Sequence, residues 1–183
     1  MQYYISTEIQ NKINELDNIS YRHSYRVYNL CQQYEDLVNA KHNLLSASGL
    51  VHDIGKLYID TKILDKRGCL TTIERRIVNL HPYIGYEMLK ECNVEEDICR
   101  MVLYHHGPKA PTLHSLDEYE NDEVMKSAMT LCTIDSFEAL TAYRPYREGY
   151  SIHKAIQILD KEGFHEEKVL RFLLNQRKIF STI

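Results

Sequence analysis

Glycine and proline are scarce in this chain, at seven and four residues, and they are thinly spread. There is no Ser/Gly linker, low-complexity tract or repeat, so nothing marks a domain boundary and residues 1–183 read as a single domain. Long alternation of apolar and polar residues is missing too, which removes the main signal for strands. No run approaches the ~18 uninterrupted apolar residues that a bilayer span needs. The N-terminus, MQYYISTEIQNK, lacks the basic start and apolar stretch of a signal peptide, so the expected address is the cytoplasm, away from membranes. Cysteine pairs are also absent. Cys31, Cys69, Cys92, Cys99 and Cys132 stand singly with no C-x-x-C, which suits a reducing compartment and argues against a disulfide framework or a thiolate zinc site. Excess positive charge is lacking as well: at a net −4 the chain is not built to track a nucleic-acid polymer, and an anionic substrate would need local positive charge.

What is present is helical periodicity. Ile19, His23, Val27, Leu30, Tyr34 and Leu37 recur at steps of three or four and share one helix face. Thr71-x-x-Glu74 reads as a capping box opening a helix that carries Ile73, Ile77 and Leu80. Pro82 can begin a helix but not continue one, so a new helix starts there and runs through Tyr86 and Leu89. Ile98, Met101, Val102 and His105 form a further stripe. A longer helix is predicted from about Asn121 to Tyr143, ending before Pro145. Two more, over 151–160 and 166–180, are separated by Gly163. The expected fold is all-α, a compact bundle of about eight helices. Segment 107–120, GPKAPTLHSLDEYE, carries no helical signal, and long loops in compact domains tend to be functional.

Nine histidines are the unusual number in the composition, and their positions matter more than their count. His23 lies four before Val27, on the apolar side of its helix. His81 follows Ile77 by four and Val78 by three. His105 continues its apolar stripe, His106 adjoins it, and Asp135 sits inside MTLCTIDSFEAL. His52 and Asp53 close LLSASGLVHDIG. Any one of these alone would be an ordinary hydrogen-bonded core residue, and a His pair could simply favour a helix end. Jointly they place imidazoles and carboxylates inward from five segments. Buried groups of this kind cost several kcal/mol unless paired or bound to metal. His42, His114, His153 and His165 lie in polar surroundings and read as surface residues.

Imidazole and carboxylate without thiolate suit Fe, Mn, Zn, Co or Ni. Seven ligands (His23, His52, Asp53, His81, His105, His106 and Asp135) exceed what one tetrahedral zinc uses. A carboxylate can bridge two ions, and a pair ~3.5–4 Å apart is the usual arrangement for displacing an ester oxygen from phosphorus. The nucleophile would then be a water made acidic by the ions, with no nucleophilic side chain required. Lys56, one helical turn after His52, and Arg144 and Arg147, flanking Pro145 and Tyr146, stand where a phosphate clamp would need them. Asp53 and Lys56 are the expected catalytic pair; Lys56, Arg144 and Arg147 the expected substrate contacts.

The order of these residues, His23, then GLVHDIGK, HPYIGYEML, YHH and IDSFEALTAYRPYREGYS, resembles the HD-GYP branch of the HD-domain superfamily from about residue 20 to 175. The resemblance implies a helical metal-dependent phosphodiesterase of the kind that, in many members, hydrolyses cyclic di-GMP in bacterial signalling. It implies that His23, His52, Asp53 and Asp135 hold one ion and His81, His105 and His106 a second, with Asp53 bridging. Lys56, Arg144 and Arg147 match the phosphate-contacting positions. Some members hold a third ion with a carboxylate at the position of Ile19, so two divalent ions are expected here, Fe or Mn favoured and Zn, Ni or Co compatible. The acidic residue and Gly-Tyr-Pro element that follow the His pair in the family are replaced by Gly107-Pro108-Lys109-Ala110-Pro111. With Asp117, Glu118, Glu120, Asp122 and Glu123 crowding negative charge beyond it, this mouth is expected to admit a small phosphodiester readily and to turn over cyclic di-GMP weakly or not at all. The alternatives are a nucleotidase or other phosphomonoesterase, and a catalytically silent metal-containing binding module. The expected partner is a small anionic phosphoester, a cyclic dinucleotide among them, and a homodimer stays open.

Overall fold

The computed structural model describes residues 5–40, 42–66, 68–107, 122–143, 148–163 and 165–176. Ten α-helices and one 3-10 helix account for the regular structure among them: α1 (Thr7–Asn14), α2 (Asn18–Leu37), α3 (Leu44–Val51), the 3-10 helix (Ile54–Tyr58), α4 (Thr61–Leu64), α5 (Thr72–Val78), α6 (His81–Glu91), α7 (Glu96–Tyr104), α8 (Glu123–Thr141), α9 (Ile152–Glu162) and α10 (Glu167–Leu174). The all-α class is as expected. The elements beyond the expected eight are short pieces, such as the four-residue α4, too brief to show periodicity in sequence.

Helix starts follow local side-chain chemistry. Asp17 caps α2 by accepting from the backbone N–H groups of Ile19 and Ser20, both at 2.9 Å. The Thr71–Glu74 capping box is formed at α5, and Pro82 occupies the first turn of α6. Asp122 caps α8 and pairs with Arg100, while Glu123 forms an exposed pair with Lys126. Gly163 ends α9 in the left-handed region at φ +77°.

Two apolar clusters hold the helices together. One gathers Val27, Leu30, Leu131, Ile134, Phe137, Leu159 and Leu173 from α2, α8, α9 and α10. The other gathers Ile9, Ile13, Leu50, Ile54, Leu89, Ile98 and Val102 from α1, α3, the 3-10 helix, α6 and α7. Each fully buried Leu or Ile contributes about 1.5–3 kcal/mol of transfer free energy. α2 packs on α3 and α8, α6 on α7 and the 3-10 helix, and α7 on α3 and α8. The polar groups at their crossings form the candidate site.

Three expectations need correction. The ends of the α2 stripe are not core, since Ile19 is 43% and Leu37 62% exposed. Helix α5 buries no residue, and Ile73 (71% exposed) and Leu80 (53%) face solvent. His165 is no surface residue: its side chain is fully buried, with Nδ1 2.8 Å from Thr133 Oγ1 and Nε2 3.1 Å from Glu162. His42 and His153 are exposed as expected. His114, Arg144, Arg147 and loop positions 108–120 lie outside the described residues.

Candidate metal centre

Three of the candidate ligands are held by the same local device. His52 and His105 are the residues that follow the last turns of α3 and α7, and His81 opens α6 just after α5. Each ring lies near the carbonyl three residues earlier: His52 Nδ1 is 2.8 Å from Gly49 O, His81 Nδ1 2.7 Å from Val78 O, and His105 Nδ1 2.6 Å from Val102 O. Last-turn carbonyls have no intrahelical partner, so an Nδ1–H donated there satisfies them and fixes the tautomer. The Nε2 lone pairs then face the centre. The negative ends of α3 and α7 point the same way, which favours a cation.

Those lone pairs converge in two clusters. In the first, His23 Nε2 lies 3.2 Å from His52 Nε2 and 2.8 Å from Asp135 Oδ1. In the second, His81 Nε2 lies 3.3 Å from both His105 Nε2 and His106 Nε2. Two imidazole nitrogens each about 2.1 Å from a shared ion, at roughly tetrahedral to octahedral angles, would stand about 3.0–3.4 Å apart. Imidazole nitrogens at that separation need a proton or a metal ion between them, since two facing lone pairs repel. The donor set therefore fits metal ions, and both clusters have the ligand types and proximity to hold one. The rings of His52 and His105, one from each cluster, are 5.1 Å apart.

Asp53 stands between them. Its Oδ2 is 3.5 Å from His52 Nε2 and 3.7 Å from His23 Nε2, while its Oδ1 is 3.2 Å from His81 Nε2. One carboxylate thus offers an oxygen to each cluster. Lys56 Nζ sits 2.6 Å from Oδ2. Gly55 lets the 3-10 helix lie backbone against backbone on the first turn of α6, which brings Asp53 to His81. Gly107, at φ +60°, lies against Cys132 and Met129 of α8.

Burial opposes charge on Asp53, yet Lys56 and the neighbouring imidazoles hold its carboxyl well below the usual range. Burial lowers His52, pushes His105 well down, and takes His106 down to about 4, keeping these rings neutral and able to ligate. For His23 burial is outweighed by Asp135 and Glu138, which raise it to about 9, so in the metal-free protein a proton balances the two carboxylates. Asp135 is likewise held low, by His23 against burial.

All seven candidate ligands are brought together, and Lys56 with them. Side chains of His52, Asp53 and His81 are nearly fully buried, whereas Asp135 is 20% and Lys56 22% exposed, so the cluster opens on their side. His81 reaches the site by a route different from the expected one. Ile77 is half-exposed, and the ring is buried because α6 starts over Gly55, not because it continues an apolar face of α5. Two contributors escaped the sequence reading: Glu138, fully buried, accepts from His23 Nδ1–H and from Arg26 Nε–H. The available signal was a charge three residues beyond a candidate ligand on each helix, Arg26 after His23 and Glu138 after Asp135.

The family model described as HD domain matches residues 20–140, the span from α2 to α8 that carries all seven candidate ligands. The chain is 35% identical over 121 residues to 3'3'-cGAMP-specific phosphodiesterase 3 of Vibrio cholerae, covering 66% of this chain and 26% of that protein. It is 30% identical to the cyclic di-GMP phosphodiesterase PA4108 of Pseudomonas aeruginosa, over 68% of this chain and 30% of that one. A cyclic di-GMP phosphodiesterase of Thermotoga maritima is 29% identical over 94% of this chain and 49% of its own. The chain thus spans between a quarter and a half of the length of these relatives. In fold it is similar to the HD domain of the L. monocytogenes phosphodiesterase PgpH, with a TM-score of 0.67 at 21% identity over 93% of this chain and 95% of that one. With the family model covering most of the helical body and every candidate ligand position, the chain belongs to the HD-domain family.

Proposed function

We propose that this chain is a metal-dependent phosphodiesterase that holds two divalent ions, Fe or Mn in preference to Zn, Ni or Co, and cleaves a cyclic dinucleotide or related phosphodiester. The observation that carries this reading is Asp53, whose two oxygens face two separate histidine clusters. When bound, the ions would supply Lewis acidity to a phosphoryl oxygen and lower the pKa of water enough for attack near neutral pH.

The chain's own residues do the rest. His23, His52 and Asp135, with Asp53 Oδ2 near the first two, would hold one ion, and His81, His105 and His106, with Asp53 Oδ1 near His81, would hold the other. Lys56 fixes Asp53 and presents positive charge at the open edge, where an anionic phosphoester would approach. Arg144 and Arg147 follow α8 in sequence and are proposed to complete the phosphate clamp. The relatives named for cyclic dinucleotides support the substrate class, as does the PgpH HD domain, solved in complex with cyclic-di-AMP (TM-score 0.65, 23% identity). No helix among the described residues is long and apolar enough to cross a membrane.

The test is a hydrolysis screen of the Mn(II)- or Fe(II)-loaded chain against cyclic dinucleotides, mononucleotides and bis(p-nitrophenyl) phosphate. Diester cleavage that requires metal supports the proposal. Release of phosphate from mononucleotides with the diesters untouched would replace it with a phosphomonoesterase.

A further inference from the structure

Glu138 lies within α8 at 0% exposure, where an ionised carboxylate costs several kcal/mol unless its oxygens are satisfied. Its Oε1 accepts from the Arg26 guanidinium, which ties α8 to α2 beside their shared apolar cluster. Its Oε2 is committed to His23 Nδ1. His23 is thereby gripped between two carboxylates of the same helix, with Glu138 at Nδ1 and Asp135 at Nε2. The rings of His52, His81 and His105 give their Nδ1–H to neutral backbone carbonyls. The two clusters therefore differ by more than their ligands. The first has Asp135, one oxygen of Asp53 and an ionised partner behind its histidine; the second has three imidazoles and the other oxygen of Asp53.

We propose that Glu138 is a positioning residue that acts through His23 to make the His23–His52–Asp135 site the tighter of the two metal sites, with Arg26 holding its carboxylate in place. A carboxylate partner orients an imidazole, fixes its tautomer and strengthens it as a ligand, and loss of such a partner typically costs about 10–100-fold in metal affinity. Arg26, three residues after His23 on α2, keeps Glu138 Oε2 aimed at the ring and offsets its charge. The inference rests on the two-ion reading above.

The experiment is a stepwise Mn(II) titration of the chelator-treated full chain, followed by calorimetry, with helicity checked by circular dichroism. The parent should bind two equivalents in two resolved steps, and His106→Ala should remove the weaker one. Glu138→Gln, which keeps the shape and drops the charge, should weaken the tighter step by about 10–100-fold and leave the weaker step nearly unchanged. Glu138→Asp should retain part of the difference. If Glu138→Gln does not fold, Arg26→Met should loosen the same step by a smaller factor. Equal weakening of both steps, or of neither, overturns the role given to Glu138 while leaving the two-ion reading intact. A parent chain that binds no Mn(II) overturns both.

Discussion

Gly55 and His81 meet backbone to backbone: a Cβ on Gly55 would fall 2.1 Å from the His81 carbonyl oxygen and 2.6 Å from Gly85 N. Neither neighbour is a flexible side chain, so the 3-10 helix must move away from α6 to admit any larger residue. That crossing sets the 3.2 Å separation of Asp53 Oδ1 and His81 Nε2. Gly55→Ala is expected to cost about 1–3 kcal/mol, as overpacking does, and to lower Tm by roughly 2–10 °C. Metal content should fall with it, because the bridging carboxylate retreats from the second cluster. A variant with the Tm and metal content of the parent would show that the contact does not govern the site.

Asp53 is the candidate ligand whose two oxygens face both clusters. Asp53→Ala should therefore lose both ions, whereas His106→Ala should lose one. Metal-to-protein ratios of the two variants by elemental analysis decide this, and a full ratio in Asp53→Ala would exclude the bridge.

The convergence of these candidate ligands is legible from spacing because a metal ligand must be both polar and inward. His23 and Asp135 stood on apolar faces, and the structure buries His23 and brings both to one point. His81 is buried, but not as part of an apolar face of α5, since periodicity cannot see that a helix break at Leu80 hands the ring to a new helix. The meeting of Glu138 and Arg26 with His23 depends on α2 packing against α8, which no local pattern encodes. His165 was missed for the same reason: its polar neighbours in sequence hide the Thr133 hydroxyl it meets across the fold. Helix α5 shows the converse, an apolar stripe in which Ile73 stays 71% exposed and no residue is buried.

Metal removal should leave a pH signature. His23 is raised to about 9, above an unfolded value of about 6.5, so its contribution is fully present below 6.5 and lost as pH climbs through 9. His106 is lowered to about 4, so its contribution is present above 6.5 and lost as pH falls through 4. His52 and His105 shift in the same direction as His106. Stability of the metal-free protein should accordingly peak near pH 6.5, with the alkaline limb on the order of 3 kcal/mol and the acid limb at least as large. Saturating Mn(II) should abolish the alkaline limb, since the ion displaces the His23 proton. Urea midpoints between pH 4 and 9.5 measure this, and an alkaline limb unchanged by Mn(II) would contradict it.

The phosphate clamp separates binding charge from metal binding. Arg144→Ala and Arg147→Ala should each lower kcat/KM by about 10–100-fold at unchanged metal content, because their role is electrostatic. Arg147→Lys should recover part of the loss, a point charge replacing the fork. Alanine variants with parental kinetics would return both arginines to ordinary surface charge.

The most direct measurement is the metal content of anaerobically purified protein reconstituted with Fe(II) or Mn(II), read beside its hydrolysis of cyclic dinucleotides and bis(p-nitrophenyl) phosphate. Two ions per chain, with diester cleavage that disappears on chelation and returns on reloading, is the predicted result. Protein that takes up no metal under any of these conditions would contradict it.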